Sequence, residues 1–95
     1  MTQMDEMGKR LLWFAGKMHE KLAIPKNQQK GDPRTCSSRY LFELLQKEVD
    51  ELDAALTMSD VKRNILSGAW KRRIIEESAD VANFAMMLAD KANEE

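Results

Sequence analysis

The sequence is poor in residues that interrupt helices or crosslink chains. Its 95 residues include two prolines, four glycines, one cysteine and one histidine. The single cysteine, Cys36, excludes an internal disulfide and fits a reducing compartment. Many Leu, Ala, Met, Glu and Lys residues, together with little proline and glycine, favour an all-α fold because these residues have high helix propensity. No segment alternates apolar and polar residues for long enough to predict a strand.

The sequence also lacks a strong net charge and a long apolar run. Fifteen basic and sixteen acidic side chains leave a formal net charge of −1. This balance gives no support to binding of a nucleic-acid polymer or of a membrane surface. The longest early apolar run, residues 11–15, is too short for a signal segment or a membrane span. We therefore expect a cytoplasmic protein with one domain, residues 1–95.

The first helix is predicted over residues 3–22. Its apolar stripe recurs at steps of three and four residues: Met4, Met7, Leu11, Phe14, Met18 and Leu22. Pro25 ends the segment, because proline disfavours a helical conformation at the residue before it. Residues 24–36 form the only long irregular stretch that we predict. A loop of this length is either a connector between helices or a functional loop.

Three further helices are predicted after this loop. The second runs from a cap at Ser37 or Ser38 to about residue 56. A short third helix covers residues 60–66 and ends at Ser67-Gly68. The last helix spans residues 69–92. The fold prediction is an antiparallel helical bundle of three long helices and one short helix.

Four carboxylates stand on the apolar stripes of two of these helices. Glu48 and Glu51 are three residues apart on the second helix, and Glu77 and Asp80 are three apart on the last. One such pair arises easily by chance in glutamate-rich helices, but two pairs on apolar stripes do not. Buried carboxylates without partners are costly, so a cation is expected where antiparallel helices bring the pairs together. Carboxylate oxygens suit Mg²⁺ or Mn²⁺, whereas zinc prefers His or Cys.

The segments around these acids are Leu-Gln-Lys-Glu48-Val-Asp-Glu51-Leu and Ile-Glu-Glu77-Ser-Ala-Asp80-Val. They resemble the Glu-x-x-Glu and Glu-x-x-Asp signature of the MazG-like, all-α nucleoside triphosphate pyrophosphatases of the short single-domain type. The resemblance is best over residues 38–90. It implies that the four acids bind Mg²⁺, with Glu48 or Glu51 acting on the attacking water.

The same resemblance implies an activity and an assembly. Members of this family hydrolyse nucleoside triphosphates, commonly deoxynucleotides, to the monophosphate and pyrophosphate, and they usually act as dimers or tetramers. House-cleaning of nucleotide pools is the corresponding cellular role. Residues 79–89 point to a homo-oligomer independently, because they are apolar on more sides than one small protomer can cover.

Five other side chains are candidates for substrate contacts. The amide of Asn83 is placed either to meet the sugar or metal-bound water, or to bond a neighbouring helix. Lys30 and Arg34 either reach the phosphates from the loop or remain solvated charges. Trp13 is a candidate for stacking on a base, and His19 for a contact nearby, although both residue types also serve as packing on amphipathic helices.

Two other classes of protein compete with a nucleotide hydrolase. A non-enzymatic helical module, which binds a partner or resembles an antitoxin, explains the helices and the oligomer. It leaves the four core-facing acids unexplained, unless arginines pair with them across an interface. A ferritin-like carboxylate centre requires Glu-x-x-His pairs, which this sequence lacks.

Overall fold

The computed structural model describes residues 2–23 and 36–94, with the side chains of residues 5–23, 36–61 and 68–94. These residues are all-helical and contain no strand. They form two helical runs, which we call α1 (Thr2–Leu22) and α2 (Ser38–Glu94). Neither run contains a stretch that is long and apolar enough to cross a membrane. The all-α prediction is confirmed for this part of the chain.

Helix α1 coincides with the predicted first helix to within one residue at its start. Asp5 lies in its first turn and Lys21 in its last turn. Negative charge near the start of a helix and positive charge near its end both interact favourably with the helix dipole. The amide of Ala23 donates to the carbonyl of His19 at 3.1 Å and closes the last turn.

Helix α2 begins with a serine cap. The hydroxyl oxygen of Ser37 accepts a hydrogen bond from the amide of Tyr40 at 3.1 Å. The carbonyl of the same residue accepts a hydrogen bond from the amide of Leu41 at 3.1 Å. A serine in this position satisfies an amide that has no partner within the helix. The predicted cap is therefore confirmed, and Ser37 is the residue that provides it.

Helix α2 is not straight. Its 57 residues would extend about 85 Å as a straight helix, but the longest dimension of the protein is 46 Å. Carboxylate oxygens of Glu51 and Glu77 lie within 4.8 Å of each other, although a straight helix would separate these residues by about 39 Å. The helix therefore folds back into a hairpin. We call residues 38–56 its first arm and residues 69–94 its second arm.

The predicted short helix over residues 60–66 is wrong as a separate element, because the helical run is unbroken from Ser38 to Glu94. The sequence predicts an end at Ser67-Gly68, since glycine ends many helices by adopting a positive φ. Gly68 has no positive φ and lies inside the run. A glycine within a helix costs only about 1 kcal/mol relative to alanine. The stop signal is thus too weak to end the helical run, but the chain reverses direction between residues 56 and 69, next to this signal.

The two arms of α2 run antiparallel. Phe42 of the first arm and Leu88 of the second line one groove, while Glu51 meets Glu77 nearer the bend. Residue numbers therefore rise along one arm as they fall along the other. The apolar core is small, and its buried members among the described side chains are Leu41, Ala55, Ala79 and Phe84.

Helix α1 packs antiparallel on the second arm through two polar contacts. The side-chain amide Nδ2 of Asn83 donates to the carbonyl of Met18 at 3.0 Å. One turn along each helix, Nζ of Lys21 lies 3.3 Å from Oδ2 of Asp80. These contacts fix the register of α1 against the arm that carries two of the predicted acids.

Candidate metal centre

Three of the four predicted acids meet between the arms of α2. Glu48 and Glu51 come from the first arm and Glu77 from the second, and one carboxylate oxygen of each lies within 4.8 Å of the others. The spacing of three residues places Glu48 and Glu51 on one face of their helix. The hairpin brings Glu77 opposite that face. We call these three residues the glutamate cluster.

The glutamate cluster is largely enclosed. Glu48 and Glu77 are each 8% exposed, and Glu51 is half-buried. Burial and the neighbouring Glu51 carboxylate raise the pKa of Glu77 above its ordinary value, the guanidinium of Arg73 opposes this shift, and the charge of Asp80 adds to it. Nε of Arg73 lies 3.3 Å from Oε1 of Glu77, as their spacing of four residues predicts.

The donor set of the cluster fits a hard divalent cation. Oε2 of Glu77 is buried and accepts no hydrogen bond from any side chain or backbone group in the described ranges. A buried carboxylate oxygen without a donor is costly, and a cation removes that cost. Carboxylate oxygens that converge from two helices are the ligands that Mg²⁺ and Mn²⁺ prefer. The three glutamates are therefore residues that could hold such an ion.

Asp80, the fourth predicted ligand, forms an ion pair with a lysine of α1. Its carboxylate lies 3.3 Å from the ammonium of Lys21, and the two side chains are 17% and 15% exposed. The negative charge of Asp80 nevertheless contributes to raising the pKa of Glu77. Sequence reasoning did not single out Lys21. No local pattern marks this lysine, because it approaches the acids only when α1 packs on the second arm.

Asn83 makes the interhelical hydrogen bond, which is one of the two interpretations that its position allows. Its Nδ2 donates to the carbonyl of Met18 on α1. The residue is 4% exposed, and its Oδ1 accepts no hydrogen bond within the part of the chain that the structure describes. A buried amide oxygen in this state retains the capacity to accept a bond from a hydroxyl group or a water.

Two of the remaining substrate candidates lie on α1, and the other two lie outside the described residues. Trp13 is half-exposed on α1, where Nζ of Lys17 lies 5.9 Å from the centre of its ring. His19 is exposed on the same helix. Lys30 and Arg34 belong to residues 24–35, which the structure does not describe. Their roles therefore stay predictions.

Comparisons of this chain with protein-family models, with curated proteins and with solved structures found no match.

The raised pKa of Glu77 leads to a prediction about pH and stability. An acid whose pKa is raised on folding holds its proton more tightly in the folded state. Its stabilising contribution is therefore present below the ordinary pKa of 4.5 and is lost as the pH rises through the raised pKa. Without divalent cations, we expect the free energy of unfolding to fall over this window in the wild type and to fall less in Glu77→Gln.

Denaturant unfolding at a series of pH values in EDTA measures this difference. Glu76→Gln is the matched control, since it removes the adjacent but exposed glutamate and should keep the pH profile of the wild type. Parallel profiles for the wild type and Glu77→Gln would show that Glu77 is not the group responsible. Saturating Mg²⁺ or Mn²⁺ should remove the loss of stability in the wild type, because a bound cation favours the ionised carboxylate.

Proposed function

We propose that this protein is a Mg²⁺-dependent nucleoside triphosphate pyrophosphohydrolase that cleaves (deoxy)nucleoside triphosphates to the monophosphate and pyrophosphate. The observation that carries the proposal is the convergence of Glu48, Glu51 and Glu77 within 4.8 Å in an enclosed site. The resemblance of the two acidic segments to MazG-like pyrophosphatases supports the choice of reaction. A role in cleansing the nucleotide pool would follow from that reaction.

The glutamate cluster would hold the divalent ion, with Asp80 as the fourth predicted ligand. Mg²⁺ or Mn²⁺ bound there supplies charge neutralisation for the triphosphate. The two glutamates of the first arm would provide negative charge from one helix. Glu77 would provide negative charge from the second arm. Its Oε2 is buried and has no hydrogen-bond donor among the described residues.

Glu48 or Glu51 would act as the general base of the reaction. One of these carboxylates would orient a water molecule and accept its proton as the water attacks the α-phosphorus. The bond between the α-phosphorus and the oxygen that it shares with the β-phosphorus breaks. Pyrophosphate leaves with the electron pair of that bond. Of the two, Glu51 is less buried, which suits a group that must meet water and substrate.

The reaction is tested with a panel of ribo- and deoxynucleoside triphosphates, assayed for pyrophosphate and for orthophosphate. We expect pyrophosphate release that requires Mg²⁺ or Mn²⁺ and stops in EDTA. Release of orthophosphate instead would refute attack at the α-phosphorus. Absence of turnover on every nucleotide, together with no rise in melting temperature on adding either metal, would refute the hydrolase.

We further infer that the protein is a homo-oligomer that pairs through the first arm of α2. Five apolar side chains on this arm follow the alternating spacing of three and four residues found in coiled coils: Phe42, Leu45, Val49, Leu52 and Leu56. We call this row the apolar seam. Three of its members are 38%, 45% and 46% exposed. The neighbouring row of the same helix, which contains Leu41 and Ala55, is buried inside the hairpin.

The size of the exposed surface supports a second copy as the occupant of the seam. The accessible surface of the chain is 7296 Å², whereas a compact monomer of 10.9 kDa exposes about 5,600 Å². The radius of gyration of 15.2 Å likewise exceeds the value of about 12 Å for a compact domain of this length. An excess of about 1,700 Å² per chain is of the size that obligate homodimers bury.

The same exposed surface favours a second candidate function, a non-enzymatic helical module that binds a partner or resembles an antitoxin. Beyond the seam, α1 exposes a further group of large apolar side chains near its start: Met7, Leu11, Leu12 and Trp13. Such a module would use these surfaces and would need no cation. The nucleotide panel and the metal-dependent melting temperature separate the two functions.

A further inference from the structure

The first half of α1 carries an apolar surface that remains exposed. Three consecutive large side chains, which we call the α1 patch, are 69%, 77% and 53% exposed: Leu11, Leu12 and Trp13. Met18 and Leu22 lie further along the same stripe as Leu11, and both are partly buried. The described part of the hairpin therefore covers the second half of α1 and leaves the patch open.

The α1 patch and the apolar seam lie on different parts of the fold. The hydrogen bond from Asn83 to Met18 and the ion pair of Lys21 with Asp80 hold α1 on the second arm of α2, whereas the seam belongs to the first arm. Both surfaces are exposed in the same structure, so neither covers the other within one chain. Single exposed apolar residues are common on protein surfaces, but contiguous groups of them mark interaction sites.

Acidic side chains border the apolar seam. Asp50 lines a shallow groove together with Phe42, Leu45 and Val49 of the seam. Asp53 follows Asp50 by three residues and therefore lies on the same side of the helix, and both acids are exposed. If the seam of one copy met the same seam of another, two sets of these acids would surround one contact. Such a contact is unfavourable because like charges repel.

Basic side chains border the α1 patch. Lys9 and Arg10 are exposed and immediately precede Leu11. The acids of this half of α1, Asp5 and Glu6, lie about one turn further from the patch. Opposite charges beside two apolar surfaces steer their association and determine which surfaces pair. The patch of one copy therefore complements the seam of another in both apolarity and charge.

We propose that the α1 patch of one copy packs on the apolar seam of a second copy, and that a two-fold axis repeats this contact with the roles exchanged. The inference rests on the seam as the pairing surface and names what occupies it; it does not depend on the hydrolysis of nucleotides. One dimer of this kind covers both exposed apolar surfaces of each chain. It also places Lys9 and Arg10 beside the acids that border the seam of the other copy.

Charge reversal on the two surfaces tests the pairing. We expect the double variant Lys9→Glu and Arg10→Glu to weaken self-association by about tenfold, and Asp50→Lys and Asp53→Lys to weaken it similarly. The four substitutions together should recover most of the lost affinity, because opposite charges meet again with exchanged signs. Analytical ultracentrifugation over a range of concentrations measures the dissociation constants. All four positions are exposed, and circular dichroism checks that each variant is folded.

Two further variants sharpen the test. Lys47→Glu is the control, since Lys47 is exposed on the first arm but lies on the side of the helix away from the seam, and it should keep the affinity of the wild type. The neutral variant Asp50→Asn and Asp53→Asn distinguishes the two ways of filling the seam. It should weaken a contact with the basic α1 patch, whereas it would strengthen a contact of the seam with itself by removing repulsion.

Each outcome has one meaning. A monomeric wild type would refute the oligomer and the pairing with it. An oligomeric wild type would still overturn the pairing if Lys9→Glu and Arg10→Glu left its affinity unchanged, or if the four substitutions together recovered nothing. Tighter association of the neutral variant would overturn it in favour of a contact between two seams. The proposed hydrolase is judged separately, by metal-dependent release of pyrophosphate from the wild type.

Discussion

Replacing Glu51 by glutamine is expected to lower metal-dependent pyrophosphate release by about a hundredfold to ten-thousandfold. Glutamine has nearly the same size, but it cannot accept the proton of the attacking water, and it removes one negative charge from the glutamate cluster. The rate is measured under saturating Mg²⁺ with the nucleotide that the wild type turns over best. Glu43→Gln is the control, because Glu43 lies on the same arm but is exposed to solvent.

The melting temperature provides an independent test of the Glu51→Gln variant. Mg²⁺ or Mn²⁺ should raise the melting temperature of the wild type and of Glu43→Gln, and should raise that of Glu51→Gln less. If Glu51→Gln retained the activity of the wild type, the cluster would not be the catalytic centre. Equal losses in Glu51→Gln and Glu43→Gln would point to a general effect of charge rather than to the site.

The second large effect concerns the apolar seam. Val49→Asp is expected to weaken self-association by about a thousandfold, because the charge is buried in the contact and a two-fold axis places it there twice. Size-exclusion chromatography with light scattering measures the molar mass over a range of concentrations. The wild type should elute as a dimer or tetramer and the variant as a monomer.

Val61→Asp is the matched control for the seam. Val61 is 72% exposed and lies five residues after Leu56, outside the spacing of the seam. This variant should keep the molar mass of the wild type. A monomeric wild type would refute the oligomer, and a Val49→Asp variant that keeps the molar mass of the wild type would place the interface elsewhere than on the first arm.

The helices could be predicted from the sequence because their signals are local. The stripe of α1, the serine before α2 and the scarcity of proline each act within a few residues, and the structure agrees on the helices and the cap. Two members of the stripe, Met7 and Leu11, are nevertheless exposed. Glu48 was predicted to face the core, and it is buried. Asp50 and Asp53, which lie off the apolar stripe of the same helix, are exposed.

The predictions fail where one local sequence pattern is compatible with more than one structure. Ser67-Gly68 predicts a helix end, but glycine ends a helix only when it adopts a positive φ, which Gly68 does not. The apolar stripe of the first arm is also wider than one contact face. Leu41 is buried by the hairpin while Val49, on a neighbouring face, is exposed. Hydrophobic spacing alone cannot assign each face to its partner.

The candidate site was predictable in part for the same reason. Spacing of three residues identifies the pairs Glu48–Glu51 and Glu77–Asp80, since both members of a pair share one helix. The spacing cannot show that α1 brings Lys21 to Asp80. That contact depends on how α1 packs, which is a property of the tertiary structure rather than of any segment.

The hairpin of α2 also has a consequence for the order in which the site assembles. Glu51 and Glu77 are separated by 26 positions of one helical run, whereas Lys21 and Asp80 are separated by 59. Contacts between residues closer in sequence form more readily, because closing a shorter loop costs less chain entropy. We therefore expect the three glutamates to meet before α1 arrives. For that interval Arg73, which lies 3.3 Å from Glu77 on the same arm, is the nearby positive charge, and Lys21 joins the acids only when α1 packs.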